Sequence, residues 1–332
     1  MPYTPPQPLQ SSASRVSALV ATALALVLSQ ATAQEYPNKS IRLVVPFSPG
    51  GPADLLGRVI GDKIGRGLGQ TVVVINKDGA GTILGADMVA KATPDGYTLF
   101  LGNLAMVVNS SSGKKLPYDL LKDLAPVSVV FKQSQILVVT PSLPANSLKE
   151  LIAIAKASPG KLKYGTSGVG SAIHLHSELL RMAMGVTMTH VPYKGQAPAM
   201  ADLFSGQIDM IFSGISPIVP FLKTGKLRAI GVSTPQRMPV IPDVPTLMEG
   251  GLANFSTAGW YGILVPSGTP KAIITRLNTE IVKAMSAPEV VERLGTQGGE
   301  TTSTTPEAFS ALIREELKTW TGVIKEANIR LE

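Results

Sequence analysis

Two turns rich in glycine and hydroxyl side chains carry the residue types best suited to binding a small anion. The first turn contains Phe47, Ser48, Gly50, Gly51 and Asp54. The second turn contains Thr166, Ser167, Gly170 and Ser171. Each turn joins a run of β-forming residues to an amphipathic helical pattern, so backbone N–H groups at a helix N-terminus lack intrahelical acceptors and favour an anion. The sequence therefore predicts two anion-facing turns, contributed by two domains that close on one ligand.

Other residues that resemble catalytic or metal sites fit such chemistry poorly. His174 and His176 lie two positions apart on a predicted helix, about 200° around its axis, so their rings cannot share one metal ion. We expect one of them to pack inward with a hydrogen bond. Ser171 and His174 imitate part of a hydrolytic triad, but the chain has no G-x-S-x-G elbow. With no cysteine in the sequence, disulfides, thiolate metal sites and a cysteine nucleophile are excluded. No catalytic residue, metal or cofactor is predicted.

The charge distribution also limits the partners. The chain has 332 residues and a formal charge of +7, but its basic residues are scattered. No basic stripe with interleaved aromatic residues appears, which argues against nucleic acid. A mild positive field would help to collect small anions.

The N-terminal residues have the pattern of a secretory signal. Arg15 precedes the apolar run from Val16 to Leu28, and Ala31-Thr32-Ala33 forms a small-x-small cleavage site. The apolar run is shorter than the roughly 20 residues that span a bilayer. We expect a signal peptide over residues 1–33, cleavage after Ala33, and export to the periplasm.

Strand and helix patterns alternate along the rest of the chain, which indicates an α/β sheet built of βαβ units. Strands are expected at residues 41–45, 71–75, 97–101, 136–140, 187–191, 208–212, 227–232 and 260–265. Helices are expected after the first turn, over 83–92, from Ser147 to about residue 158, and over 172–184, 199–204, 271–285 and 306–327. A capping box of Ser147 and Glu150 opens one of them.

With these elements in order, the chain resembles the solute receptors of tripartite tricarboxylate transporters, the Bug receptors, over nearly all of its mature length. The segments that carry the resemblance are residues 41–47 with Pro49-Gly50-Gly51 and Asp54, Pro94–Leu99, Leu116–Asp119, Pro159–Leu162, Gly168–Ser171, His190–Gly195, Gly225–Ala229, Pro242–Thr246 and Gly268–Pro270. One glycine turn alone is a weak signal, but this ordered set is specific.

The resemblance implies a type 2 periplasmic binding protein fold, with two α/β domains and a ligand cleft between them. Domain 1 would comprise residues 34–135 and 258–332, domain 2 residues 136–257, with the chain crossing near 134–137 and 255–260. Such a receptor is not an enzyme. It captures a small organic carboxylate, a di- or tricarboxylate or an aromatic acid, and delivers it to the permease subunits of the transporter. We expect a monomer.

Some positions depart from the family pattern. Pro52 and Ala53 replace a small residue and a hydroxyl residue after the first turn, and Ser213 stands where the family often has Asp. Losing that acid disfavours a ligand with an amino group and favours an acid with an apolar body. Asn103, Lys194 and Ser213 complete the predicted ligand contacts.

Two alternative functions stay open: a ligand sensor that docks on a signalling kinase and, less favoured, a hydrolytic enzyme on the same fold.

Overall fold

The computed structural model describes residues 36–329, and the expected signal peptide lies outside them. The strands of this part are β1 Ile41–Val45, β2 Val72–Asn76, β3 Thr98–Asn103, β4 Leu124–Val139, β5 Lys163–Thr166, β6 Thr189–Pro192, β7 Met210–Gly214, β8 Arg228–Val232, β9 Ala258–Pro266 and β10 Gly299–Thr301. The helices are α1 Pro52–Leu68, α2 Ile83–Ala90, α3 Leu104–Ser111, α4 Leu120–Asp123, α5 Leu148–Ala157, α6 Ala172–Met184, α7 Gln196–Ser205, α8 Val219–Lys223, α9 Lys271–Met285, α10 Pro288–Gly295 and α11 Pro306–Glu326. The architecture is mixed α/β.

The strands form a continuous hydrogen-bonded path in the order β2-β1-β3-β9-β4-β7-β5-β6, with β8 and β10 also pairing β4. Strands β1, β2 and β3 are mutually parallel, as are β5, β6 and β7, whereas β9 runs antiparallel to both β3 and β4. Parallel strands joined by helices are typical of α/β proteins and bring the strand ends to one edge of each sheet.

Strand β4 belongs to two sheets, and the change of partner falls between two adjacent residues. Residues from Leu124 to Ser134 pair with β9, and Gln133 also faces β10. From Gln135 onward the strand pairs with β7, and from Ile136 also with β8. We call the sheet of β1, β2, β3, β9, β10 and the first part of β4 the first sheet, and the sheet of β5 to β8 and the last part of β4 the second sheet.

Three apolar cores support the two sheets, and Leu179 of α6 packs against two of them. One core includes Phe100, Trp260 and Phe309 and packs α3 and α11 against the first sheet. Two further cores lie on the second sheet, one around Tyr164 and Phe212 and one around Ile136 and Ile211. Residues 211 and 212 are neighbours on β7 and therefore point to opposite faces, which places these two cores on the two sides of that sheet.

No helix within residues 36–329 is both long and apolar enough to cross a membrane.

Candidate functional site

Asp54 holds the first glycine turn in shape. Its side chain is almost fully buried. It accepts hydrogen bonds from the Gly50 N–H, the Arg58 Nε and the Asn76 Nδ2, each at 2.9 Å. The hydrogen bond from Arg58, the strongest influence, lowers the pKa of Asp54 to about 2 against the opposing effect of burial. Gly50 has a φ of +84°, a conformation that favours glycine. The Gly50 N–H predicted to face an anion is thus engaged by Asp54.

The other predicted residues of the first turn are exposed at Ser48 and partly buried at Phe47 and Gly51. Ser48 is exposed and donates its hydroxyl to Asp78 Oδ2 at 2.6 Å. Gly51 precedes α1 with a φ of −81°, which any residue can adopt. The ring of Phe47 packs edge-on against Tyr261 of β9, with the centroids 6.4 Å apart. Phe47 is therefore the member of this turn that connects it to β9.

The second glycine turn joins β5 to α6 and is closed by its own hydrogen bonds. Ser171 caps α6 by accepting from the His174 N–H at 3.2 Å, and its hydroxyl donates to the Gly168 carbonyl at 2.8 Å. The Gly170 N–H donates to His174 Nδ1 at 3.0 Å. Gly170 has a φ of +74°, so this position favours glycine. As in the first turn, one predicted anion donor, the Gly170 N–H, has a partner inside the protein.

A stack of rings lies beneath the second turn. His174 lies on His190 with ring centroids 3.9 Å apart, and His190 lies on Tyr164 at 5.0 Å. The Thr166 hydroxyl is 2.7 Å from His190 Nε2. Burial, followed by the neighbouring His190, lowers the pKa of His174 to about 4. Burial also lowers the pKa of His190. Both imidazoles are thus neutral at pH 7 and brace the turn by packing and hydrogen bonding.

The hydrogen bonds of Ser171 and His174 are not those of a catalytic nucleophile and its general base. The Ser171 hydroxyl donates to a carbonyl and not to the His174 ring, while the Nδ1 of that ring receives a backbone N–H. A serine nucleophile needs its hydroxyl hydrogen-bonded to the base that removes its proton. The sequence predicted that one of the two histidines packs inward with a hydrogen bond, but both do, His174 with the Gly170 N–H and His176 with the Thr257 hydroxyl. Within residues 36–329, no group of three or more acidic, histidine or cysteine residues could hold a metal ion.

A cleft of about 190 Å³ opens where β4 changes sheets. It is lined by Asn103, Leu104, Ala105, Gln133, Gln135, Ala172, Ile173, His176, Gln196, Gly214, Pro217, Gly259, Trp260 and Tyr261. Asn103, Gln133 and Tyr261 lie on strands of the first sheet, whereas Gln135 and Gly214 lie on strands of the second. The cleft is therefore shared between the two sheets.

Three helices begin at this cleft. Leu104 and Ala105 open α3, Ala172 and Ile173 open α6, and Gln196 opens α7. The first N–H groups of a helix have no intrahelical acceptors, and the positive end of the helix dipole favours an anion beside them. None of the lining residues is charged at neutral pH, since burial lowers the pKa of His176 to about 4. The cleft thus offers neutral, partly positive donors to an anion.

The structure brings only some of the predicted contacts to this cleft. Asn103 lines it, and the second turn leads directly into Ala172 and Ile173. Ser213 is fully buried and does not line the cleft. Its hydroxyl accepts a hydrogen bond from Nε2 of the lining residue Gln196 at 2.7 Å. Lys194 is exposed just before α7.

Sequence reasoning missed the glutamines that line the cleft. Gln133 and Gln135 are two residues apart on β4, so both point to the same face of the strand. Gly214 and Gly259 leave room for Gln133: a Cβ added at Gly214 would lie 3.2 Å from the Gln133 amide nitrogen. The available signal in the sequence was the spacing of two residues between these glutamines, next to the expected chain crossing at 134–137, because this spacing places both side chains on one face of a strand.

The opposite face of the same strand pair borders a second cavity, which we call the rear pocket. It has a volume of about 270 Å³ and is lined by Lys132, Ser134, Leu179, Thr234, Pro235, Ser256, Thr257, Ala258, Trp260, Glu300, Leu312, Glu315, Glu316, Thr319 and Trp320. Lys132 and Ser134 of this pocket alternate along β4 with Gln133 and Gln135 of the cleft, whereas Trp260 of β9 borders both cavities. The cleft and the rear pocket thus lie on the two sides of the point where the chain passes between sheets.

Comparison with known proteins gives a consistent result. A family model described as a tripartite tricarboxylate transporter family receptor matches residues 56–329. Among solved structures, the periplasmic binding protein BugD is 33% identical, covers 89% of this chain and 99% of its own, and has a TM-score of 0.68. The R. palustris protein Rpa4515 with adipate is 34% identical, with coverages of 89% and 99% and a TM-score of 0.72. MatC from Rhodopseudomonas palustris with bound malate is 33% identical, with coverages of 87% and 100% and a TM-score of 0.69.

These solved structures cover 87% to 89% of the chain. They confirm the two-domain α/β fold of periplasmic binding proteins that was expected from the sequence.

Proposed function

Because the chain belongs to the family of tripartite tricarboxylate transporter receptors, we propose that it captures a small organic carboxylate and delivers it to the membrane permease of such a transporter. The observation that carries this proposal is the cleft, where three helices begin and no charged side chain lines the wall. Helix N-termini and backbone N–H groups recognise a carboxylate without a dedicated arginine.

Bound molecules in related proteins support the ligand class. The relatives at 34% and 33% identity were solved with adipate and with malate, which are both dicarboxylates. We propose a di- or tricarboxylate or an aromatic acid as the ligand.

Strand pairing supports the proposed domain boundaries, residues 34–135 with 258–332 and residues 136–257. Strand β4 changes partner between Ser134 and Gln135, and β9 begins at Ala258 opposite Ser134. The two crossings therefore lie side by side, as a hinge requires. We propose that the domains close over the ligand by rotation about this pair of strands.

The proposed site of action is the periplasm, where the relative BugD is described as a binding protein. A cleavable signal peptide over residues 1–33 and a monomeric receptor complete the proposal. The separate partners of Ser171 and His174 favour a receptor over a hydrolase.

The test places a charge at the helix N-terminus in the cleft. Ala172 is exposed and is the first residue of α6. In the variant Ala172→Asp, a fixed carboxylate competes for the helix N-terminus and repels the ligand, while an acid in the first turn favours the helix. By calorimetry with succinate, malate, glutarate and adipate, we expect the best wild-type affinity to fall at least about tenfold, or about 1.4 kcal/mol.

The matched control is Ala172→Asn, which adds nearly the same volume without charge and should stay within about threefold of wild type. Equal affinities in the aspartate and asparagine variants would refute the assignment of the carboxylate to this helix. Failure of the wild-type protein to bind any of the four acids would refute a dicarboxylate as the ligand.

A further inference from the structure

Both tryptophans of the chain contact one carboxyl group. The sequence contains two tryptophans, Trp260 and Trp320, and both are almost fully buried. The Nε1 of Trp320 donates to Glu316 Oε2 at 2.8 Å, one turn back along α11. The indole of Trp260 on β9 also interacts with this carboxyl. Glu316 thus lies beside two apolar rings, each of which offers it an N–H group.

Glu316 is poorly compensated as an anion. The other charged residues that line the rear pocket, Lys132, Glu300 and Glu315, are all exposed. Burial raises the pKa of Glu316 to about 7 against the hydrogen bonds from the two indoles, and the adjacent carboxylate of Glu315 raises it further. A carboxyl of this kind is half-protonated near neutral pH, where ordinary glutamates are ionised.

The walls of the rear pocket come from both sides of the proposed hinge. Glu316 and both tryptophans belong to the segments proposed as domain 1. The opposite wall comes from residues 136–257 and contains Leu179, Thr234, Pro235, Ser256 and Thr257. The ring of His176 on α6 also meets Trp320 edge-on, with the centroids 5.3 Å apart. Burial lowers the pKa of His176 to about 4, so this neighbour is neutral at the pH where Glu316 titrates.

The position of the pocket makes the surroundings of Glu316 depend on the hinge. The cleft and the rear pocket lie on the two sides of the place where β4 and β9 pass between the sheets. A rotation about these strands that narrows the cleft therefore widens the rear pocket. Water that enters the wider pocket solvates the charged form of the carboxyl, which weakens its hold on a proton.

We propose that Glu316 is a proton switch at the hinge, which keeps its proton while the cleft is open and releases it to solvent when the cleft closes over the ligand. This inference rests on the proposed function and adds a regulation to it. Because the open form holds the proton more strongly, acid favours the open form and the release of the carboxylate. The affinity for the ligand thus decreases as the pH falls through neutrality.

Tryptophan fluorescence tests the switch without any ligand. Since the chain has no third tryptophan, the indole emission reports directly on the charge of Glu316. A titration from about pH 5 to about pH 9 should show a transition near neutral pH. Glu316→Gln removes the titrating group, keeps an acceptor for the indole N–H groups, and should abolish the transition. The matched control is Glu315→Gln, the exposed neighbour, which should retain it.

Calorimetry tests the coupling of the proton to the ligand. The ligand is the acid that binds best among succinate, malate, glutarate and adipate, titrated at pH 7 in buffers of different ionisation enthalpy. The wild-type protein should release about half a proton for each acid bound. Its affinity should fall by about threefold to tenfold between about pH 8 and about pH 6. Glu316→Gln should lose both effects, and because the titration of the acid itself is common to both proteins, their difference isolates Glu316.

The outcomes separate the switch from the receptor function. A wild-type protein without the fluorescence transition, or a transition that persists in Glu316→Gln, would overturn the switch whether or not an acid binds. Binding of an acid with no release of a proton would overturn the coupling and leave the receptor intact. A protein that shows the Glu316 transition but binds none of the acids would contradict the proposed function and, with it, the coupling.

Discussion

The imidazole of His174 lies on that of His190 with the ring planes 10° apart and the centroids 3.9 Å apart. This stack couples the strand β6 to the start of α6, and the Nδ1 of His174 accepts the N–H of Gly170 in the turn that joins β5 to α6. The second glycine turn is therefore shaped by a buried ring and not by its glycines alone.

Replacing the acceptor in this ring should loosen the turn. In His174→Leu, the Gly170 N–H loses its partner, and we expect the free energy of unfolding to fall by about 1 kcal/mol from the lost hydrogen bond. In His174→Asn, a side-chain oxygen can take the place of Nδ1 and should recover part of the loss. Urea denaturation monitored by circular dichroism measures both, and equal stability of the leucine variant and wild type would rule out the bracing role.

Asp54 should prove to be a structural residue of the first turn. Asp54→Ala removes one acceptor from Gly50, Arg58 and Asn76 together. We expect a loss of about 2 kcal/mol in the free energy of unfolding, within the range for hydrogen bonds to a charged group. Thermal denaturation measures it. Asp78→Ala, which removes the exposed partner of Ser48, is the matched control and should cost less than about 0.5 kcal/mol.

Most of the strands could be predicted from the sequence, because they are short runs rich in β-branched or aromatic residues, whereas the order of the strands in the sheets was not predicted. Only the last four of the sixteen residues of β4 were predicted as strand, since Pro126, Lys132 and Gln133 interrupt its apolar pattern. Its length depends on pairing with β9 on one part and β7 on the other, which no local pattern reveals. Helix α3 was missed because its apolar residues continue those of β3, and Asn103 caps it without a side-chain hydrogen bond.

The position of the second turn at a helix N-terminus could be predicted from the sequence, but the hydrogen bonds and strand register of the candidate site could not. The position of the second turn at a helix N-terminus followed from local sequence, and it leads into Ala172 at the cleft. Local sequence could not show that Asp54 and His174 satisfy the N–H groups of Gly50 and Gly170. Nor could it place Gln135 opposite Gly214, since this requires the register between β4 and β7.

Acid should destabilise the protein through His176. Burial lowers its pKa to about 4 in the folded protein, below the usual value near 6.5 in an unfolded chain. The unfolded chain therefore binds the proton first as the pH falls, so the free energy of unfolding decreases between about pH 6.5 and pH 4. A shift of this size corresponds to about 3 kcal/mol.

The variant His176→Gln isolates that contribution. Glutamine can keep a hydrogen bond to Thr257 but does not titrate, so the decrease in stability between pH 6.5 and pH 4 should be smaller than in wild type. Chemical denaturation at several pH values measures the difference. Parallel pH profiles for the two proteins would show that His176 is not the titrating group.

A substitution in the rear pocket tests the proposed hinge. Ser256 is exposed and lines this pocket together with Glu315 and Trp320 of α11. In Ser256→Trp, a bulky ring holds the rear pocket wide and favours the conformation in which the cleft is narrow. We expect carboxylate affinity to rise by about threefold to tenfold, since less binding energy is spent on closure. Ser256→Ala, the control, should bind as wild type, and unchanged or weaker binding by the tryptophan variant would argue against a hinge at β4 and β9.

Solution X-ray scattering tests the central claim, that a carboxylate binds between two domains that close over it, most directly. The radius of gyration is measured with and without saturating amounts of the acid that binds best by calorimetry. We predict that it decreases with the acid and does not change with the corresponding amide, which lacks the charge that the helix N-termini recognise. A radius of gyration that stays constant while calorimetry shows stoichiometric binding of the acid would contradict the account.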